Sequence, residues 1–523
     1  MSAGTETAPE GAETGGPVPR GAEAPRADPL DGASEIPVAP KGARRSNNPT
    51  STIVQGTIGS LMLLLGGFGA AATAVNDPFL SEGPASWVRY GHGKMLATVV
   101  VYLGYVLLVW AWVRLGRKVL AGEVGTRPVL VAAACWIAPM LIAPAMFTTD
   151  VYSYLAQAGA LLEGYDPYSV GPTVVAAPEL IENVHPFWHD QPSPYGPFFL
   201  LLAKGIVSLT GTNILVGSLL LRAVLVTGLG LLVWALPGLV RHLGGRLPVA
   251  AWMLLAGPLT VVHLVGGPHN DVLMIGFLAA GTLLLLERRH VAGFALVSIA
   301  VAVKASALVA LPFLVWVWAG HLSSTRWRNF ARACASAVAV FAVVLTAVSL
   351  AAGVNVGWIY HIDASSKLVN WLGPPTAAGE LLHGIIGIAV QVPVEWVVTI
   401  TRILGQVVLF VIILRLWWRA RDGGPGAVRM AAIALFAVAV LSPTLLPWYL
   451  TWGLVLAVGL PWKPRQLAVF VGVSAFMVAP YSADGEQMMY IGMWVIVSVA
   501  AAVLAGVSLV RPDPLHLRER QFI

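Results

Sequence analysis

Phe147-Thr148-Thr149-Asp150-Val151-Tyr152-Ser153-Tyr154 is the stretch on which the reading of this chain turns. It closes an apolar run from Ala138 to Phe147 and opens a periodic segment that reaches Glu163. Val151, Leu155, Ala158 and Leu162 recur at i, i+4, i+7 and i+11, while Asp150, Ser153 and Gln157 fall on the other side. That spacing predicts a short amphipathic helix lying in a membrane surface, with Asp150 at its start. Two readings of Asp150 stand side by side. It is a helix cap, as Thr-Thr-Asp commonly is, or it is an ionisable group kept at a membrane boundary for chemistry. The setting favours chemistry: Gly164-Tyr165-Asp166-Pro167-Tyr168 stops the helix, and a Pro- and aromatic-rich loop runs on to Pro197.

Composition explains why a membrane enters the argument. Only 11% of the 523 residues are charged and 57% are hydrophobic, where soluble domains carry about 25% charged residues. Repeated apolar runs near the bilayer-spanning length of about 20 residues predict an all-α polytopic membrane protein. The net charge of +6 is arginine between apolar runs, a loop signature and not a nucleic-acid surface. Cys135 and Cys334 lie inside apolar segments with no CxxC or His companion and read as packing residues. Residues 1–50 lack large apolar side chains and the apolar core of a signal peptide, and are expected to form a disordered cytoplasmic tail.

Charge bias sets the expected topology. Lys41, Arg44 and Arg45 precede the first apolar segment, and Arg114, Arg117, Lys118 and Arg127 follow the second. The N-terminus and that loop are therefore cytoplasmic, and the third segment delivers Asp150 to the outside. Arg89, His92 and Lys94 in an outer loop run mildly against this. Residues 51–127 are expected to hold two transmembrane helices, 128–510 the catalytic domain with outer loop 148–197, and 511–523 a cytoplasmic tail. Phe198–Leu209 is too short to span and is expected to be re-entrant or interfacial, and Ala377–Val390 is likewise left non-spanning. Val291–Ala319 has basic loops at both ends and Lys304 in its middle, which predicts two short helices with Lys304 at the outer tip. Val428–Leu441 and Leu445–Leu460 form a similar hairpin around Ser442–Tyr449. The count comes to about fourteen spans, roughly 12 to 16.

Four polar or aromatic clusters then point to the outer face: the Asp150 turn with its loop, Gly267-Pro268-His269-Asn270-Asp271, Lys304, and Pro447-Trp448-Tyr449. His269 and Asn270 at a positive helix end suit an anionic group, although Asn270 or Asp271 also reads as a plain cap. A lysine inside an apolar run must find an anion or snorkel, and a lipid phosphate is the preferred partner. Tyr152, Tyr154, Asp166, Tyr168, Tyr195, Asn270, Trp448 and Tyr449 are candidate sugar or acceptor contacts. Asp166 before Pro167 reads equally well as a turn residue, and Trp448 and Tyr449 as part of an interfacial belt. His185, His189 and Asp190 lack metal-ligand spacing, so no metal site is assigned; a divalent cation is the one cofactor left open. An acid, a histidine–amide pair, a lysine and aromatic rings on one face suit transfer from a lipid-bound anionic donor to a polyhydroxyl acceptor.

Together these stretches resemble the actinobacterial polyprenol-phosphate-mannose-dependent α-1,6-mannosyltransferases of the MptA and MptB type, with general similarity nearer MptB. The likeness runs from about Pro128 to Tyr490. It implies the GT-C glycosyltransferase fold, and an outer-loop Asp, here Asp150, as catalytic base. It also implies inversion from a β-linked polyprenyl-phosphate-mannose donor to an α-linked product on a lipid-anchored mannan of lipomannan or lipoarabinomannan type. His269 and Lys304 are the positions carried over as candidates for the donor phosphate. The sequence departs from the GT-C pattern in placing three apolar segments, not one, before the Asp. A transporter or flippase of a lipid-linked sugar, and a GT-C enzyme using another polyprenyl-phosphate sugar, are the competing classes. A flippase would place its site near the midplane, not toward one face.

Overall fold

A computed structural model describes residues 48–511; most of the expected N-terminal tail, and the C-terminal tail from 512 on, lie outside the described residues. Among those residues the architecture is all helical, with no β-strand beyond isolated bridges. Seven helices are long and apolar enough to cross a membrane: Thr50–Ala70, Gly91–Leu120, Ile214–Leu243, Arg326–Ala352, Val394–Asp422, Gly424–Leu441 and Gly492–Val510. Leu247–Leu254 and Leu259–Gly266, bent by 46°, form a broken apolar pair that raises the number to eight if it is taken as one span. The chain is thus a multi-pass membrane protein. The expected fourteen or so spans came from counting apolar runs, and several of those runs fold as shorter helices, among them Asp271–Leu286 and His290–Val303. Asp271–Leu286 is buried on nearly every side. Its apolarity therefore reports an interior position in the bundle as much as contact with lipid.

The connections sort to two ends. At one, Arg241 meets Glu287 at 3.0 Å, Arg326 meets Asp422 at 3.4 Å, and the Gly245 N–H donates to Gly459 O at 2.9 Å. The other end holds the Asp150 loop, 71–90, 353–373, 442–449 and 480–490. There Ala72 bridges to Ala145, and the Val75 N–H donates to Asn183 Oδ1 at 2.7 Å. Two of the three residues that ran against the topology, Arg89 and Lys94, have local partners at this end. Lys94 pairs with Asp484 at 3.3 Å, and Arg89 donates to Ala74 O and Ser81 Oγ.

Lys304 sits in a break between His290–Val303 and the helical turn Ala305–Ala310, with Leu311–Ala319 beyond. The far ends of these arms meet again: the His290 ring stacks on Trp318 at 5.1 Å, and His290 Nε2 lies 2.8 Å from His321 Nδ1. The arms therefore form the expected hairpin, closed at the basic end and carrying Lys304 at its tip. Gly424–Leu441 and Leu450–Ala457 likewise pack on one another around Ser442–Tyr449. Pro197–Thr210 is short, and Lys204 near its middle donates to Ala352 O at the end of a long helix, so it stays at one end of the bundle.

The Asp150–Leu162 helix departs from expectation. It does not lie with a polar face in water: residues 151–161 are all buried. The helices beginning at Pro197 and Ile214 cover it on one side and the 172–181 loop on the other. Within its polar stripe, Gln157 is satisfied inside the protein, where Ser193 Oγ donates to Gln157 Oε1 at 2.8 Å, while Ser153 Oγ is buried without a hydrogen-bond partner. The apolar stripe gave the helix correctly. The long loop that folds over its polar side decided its environment.

Candidate functional site

Backbone geometry at the Asp150 turn comes first. Phe147 adopts φ +60°, in the left-handed region that a bulky residue rarely enters. Such strain persists only where the surroundings over-determine it. Here the Phe147 N–H donates to Ala483 O at 2.8 Å, and the ring is buried edge-on to His263 at 5.9 Å. Gly485, at φ +96°, lets the 481–487 hairpin close on this turn, where a Cβ would stand 3.2 Å from Thr148 Cα. The helix cap position falls to Thr149 and not to Asp150. The Asp150 N–H donates to Thr148 Oγ1 at 3.1 Å, which frees its carboxylate to face the interior of the site.

That carboxylate has two neighbours. His269 Nδ1 stands 3.2 Å from Asp150 Oδ2, and the Tyr154 hydroxyl donates to the same oxygen at 3.5 Å. The Asp150 side chain is 21% exposed and the His269 side chain is fully buried. Burial pushes the Asp150 carboxyl up, but the bond to His269 and the charges of His269 and Lys304 outweigh it and hold the carboxyl below the usual range. His269 stacks on Trp448 with centroids 3.6 Å apart. Its Nε2 and both polar atoms of Asn270 are buried without a hydrogen-bond partner in the chain. Unsatisfied buried polar atoms are expensive, and three together at one spot mark where a polar ligand would be received.

Lys304 completes the group, and its company was not foreseen. Its Nζ lies 2.7 Å from Oδ2 of Asp271, a carboxylate with no exposure, and the Trp452 indole N–H donates to Oδ1 of that residue at 2.5 Å. The ammonium also sits 5.4 Å from the Tyr449 ring centroid and 5.7 Å from that of Trp452, which stack on each other. Lys304 thus has a resident anion and a 16% exposed edge. Tyr195 forms a backbone bridge with Lys304 and packs edge-on to Tyr154 at 5.0 Å. Burial, with nearby Asp150, pushes the Tyr154 and Tyr195 hydroxyls well up, so both remain proton donors.

The structure therefore brings together Asp150, Tyr154, Tyr195, His269, Asn270, Lys304, Trp448 and Tyr449. Three other candidate contacts are placed elsewhere. The Tyr152 hydroxyl donates to Ala72 O at 2.6 Å, binding the turn to the N-terminal helices. Asp166 caps its own turn at the Tyr168 N–H and accepts from Ser169 and from Asn355 Nδ2, tying two outer loops together. Tyr168 is buried, and its hydroxyl donates to Tyr195 O at 3.0 Å, behind the site. His185 and His189 engage backbone within their loop, and Asp190 accepts from Thr173. Among the described residues no three His, Cys, Asp or Glu side chains converge to hold a metal ion, and the site's carboxylates are engaged by His269, Lys304 and Trp452.

The sequence offered Asp271 only as a helix cap and gave no role to Trp452, Tyr481 or Asn370, whose Nδ2 donates to the Tyr481 hydroxyl at 2.9 Å. A signal existed for Asp271. A lysine stranded in an apolar run needs an anion, and His269-Asn270-Asp271 offered one. Tyr481 and Asn370 gave none, because only tertiary packing brings their loops together.

Two family profiles match the chain: one described as "Alpha-(1->6)-mannopyranosyltransferase, N-terminal domain" over residues 53–320, and the MptB C-terminal domain over 375–511. The first begins at residue 53 and so takes in the two N-terminal helices. The chain is 38% identical to alpha-(1->6)-mannopyranosyltransferase A of Mycobacterium tuberculosis, over 88% of this chain and 90% of that protein. It is 32% identical to the enzyme of the same name from Corynebacterium glutamicum, over 85% and 96% of the two chains. Against the C. glutamicum protein named B it is 29% identical, over 80% and 75%. Identities are higher to the relatives named A while the C-terminal profile carries the B name, so the likeness holds for the A/B family as a whole. No solved structure matches.

Proposed function

The chain belongs to the α-(1→6)-mannopyranosyltransferase family, and from that premise we propose that it is an inverting enzyme of GT-C fold. It moves mannose from polyprenyl-phosphate-mannose to a lipid-anchored mannan acceptor, extending a lipomannan-type backbone by an α-1,6 bond. It works at the outer face of the cytoplasmic membrane. The basic end of the bundle then faces the cytoplasm with both termini, as the distribution of arginine favours.

Asp150 is the general base in this reading. The observation that carries it is a contrast between two carboxylates: Asp150 is partly exposed and 3.2 Å from His269, whereas Asp271 is sealed beneath Lys304. As O6 of the acceptor attacks the anomeric carbon from one face, its proton passes to Asp150. The C1–O bond to phosphate breaks on the opposite face, and the polyprenyl phosphate departs with the bonding pair. Attack opposite the leaving group inverts a β donor into an α product. Lys304 and His269 meet the charge that grows on the phosphate, where preorganised cations and donors act most strongly. Rings of Tyr154, Tyr195, Trp448 and Tyr449 offer faces to the sugars, and the unpartnered Asn270 amide offers one donor group and one acceptor.

Transfer of radiolabelled mannose from polyprenyl phosphate to a lipid-linked mannan, assayed in membranes, tests the proposal. Asp150→Asn should lower the rate about 10²- to 10⁴-fold. A wild-type rate in that variant would remove Asp150 as base.

A further inference from the structure

Arg222 lies in the last turn of the apolar helix Ile214–Leu225 and is buried. Among the described residues no carboxylate stands within ion-pair distance of it. A buried charge without a counter-ion must be met by dipoles, and Arg222 collects five. Its Nε donates to Val265 O at 3.1 Å. Nη1 donates to Leu141 O at 3.2 Å and Ala143 O at 2.6 Å. Nη2 donates to Pro144 O at 3.3 Å and Gly266 O at 3.2 Å.

These carbonyls belong to two segments only. Residues 141–144 lead out of a helical turn into Phe147 and Asp150, and residues 265–266 end the Leu259–Gly266 helix just before His269. Beyond these segments' own packing, a backbone hydrogen bond joins them just past Pro144, from the Met146 N–H to Gly266 O at 3.1 Å. Carbonyls at helix ends have no partner within their helix, and a planar guanidinium can satisfy both sets at once. A lysine ammonium, a point donor, has no such fork.

Building on the proposed roles of Asp150 and His269, we propose that Arg222 is a positioning residue: it clamps the two segments that deliver these side chains and so fixes their 3.2 Å approach. It touches neither the acid nor the histidine. The groups that face Asp150 are His269, Lys304, Tyr154, Tyr195 and Tyr481, with Asp271 beyond Lys304. None of them lies on the Arg222 helix, so Arg222→Lys keeps the local charge and alters geometry alone.

The test uses the full chain in membranes with polyprenyl-phosphate-mannose, and compares wild type, Arg222→Lys, Arg222→Gln, His269→Ala, Arg222→Lys/His269→Ala and Asp150→Asn. Arg222→Lys should lower kcat about 10²-fold, the scale of a 1 Å misplacement, with the donor KM changed much less. The acid limb of its kcat profile should move to higher pH. Arg222→Lys should cost little more once His269 is already Ala. Fully additive losses, or an acid limb that stays put, would overturn the proposal. So would Lys and Gln variants that both fail to accumulate as folded protein, because Arg222 would then serve folding alone. Asp150→Asn separates the two readings. If it retains full activity the base assignment fails. If it is inactive while the Arg222→Lys profile is unmoved, only the clamp fails.

Discussion

Replacing Lys304 by Met would leave Asp271 as a carboxylate with no exposure and only the Trp452 indole N–H, at 2.5 Å, as donor. Removing one partner of a buried ion pair costs about 3–5 kcal/mol. The 16% exposed edge of Lys304 admits some water, which places the expected loss near the low end, about 3 kcal/mol. Asp271→Asn should cost less, about 1–3 kcal/mol, because the ammonium keeps that edge and the faces of Tyr449 and Trp452. The double variant Lys304→Met/Asp271→Asn removes both charges and should regain most of the stability, since a neutral replacement of a buried pair is often close to isoenergetic. Thermal unfolding in detergent, followed by tryptophan fluorescence, reads these differences. Mannose transfer should follow a different pattern. If Lys304 meets the donor phosphate, the double variant is stable yet still has a much weakened apparent affinity for polyprenyl-phosphate-mannose. Recovery of both stability and donor affinity would refute the phosphate role and leave Lys304 as the counter-ion of Asp271 alone. Wild-type stability in Lys304→Met would refute the ion-pair reasoning itself.

The acid side of the pH–rate profile gives a second check. A carboxyl held below its usual 3.8 stays ionised as pH falls, and its contribution is lost only below that value. Activity should therefore persist into mild acid, and His269→Ala, which leaves burial less opposed, should move the acid limb upward; an unmoved limb would show that His269 does not set it. At Gly196 a Cβ would stand 2.2 Å from Ala302 O, where the chain enters the bridge between Tyr195 and Lys304. Gly196→Ala should cost about 1–3 kcal/mol and lower the unfolding temperature. Asp166→Asn loosens a contact between outer loops and should leave kcat within about threefold, with a stability change of about 1 kcal/mol or less; a large loss of kcat would return Asp166 to the sugar site.

Several features were legible without the fold, each for a local reason. The charge deficit and apolar runs required a helical membrane protein, because backbone groups in lipid must be satisfied within the segment. The basic loops at both ends of Val291–Ala319 required a hairpin with Lys304 at its tip. Asp150 stood out because a carboxylate at the end of an apolar run has few inexpensive explanations. What periodicity could not show was the setting of each element. The stripe from Val151 to Leu162 is the same whether its polar side meets water or a folded loop, so the buried state of that helix was invisible. Apolar runs read alike whether they face lipid or neighbouring helices, so about fourteen runs were counted where seven of the described helices have the length and apolarity of a span.

The division of labour is clearest in the charged groups. Sequence alone determined that Asp150 and Lys304 are costly where they stand, since cost depends on the apolar residues around them in the chain. Only the tertiary structure decided what each does with its charge. Asp150 turns to His269, Lys304 finds Asp271, and Arg222 gathers backbone carbonyls from two distant segments. Partners such as these lie far apart along the chain. No local pattern records them, and packing alone brings them within hydrogen-bond distance.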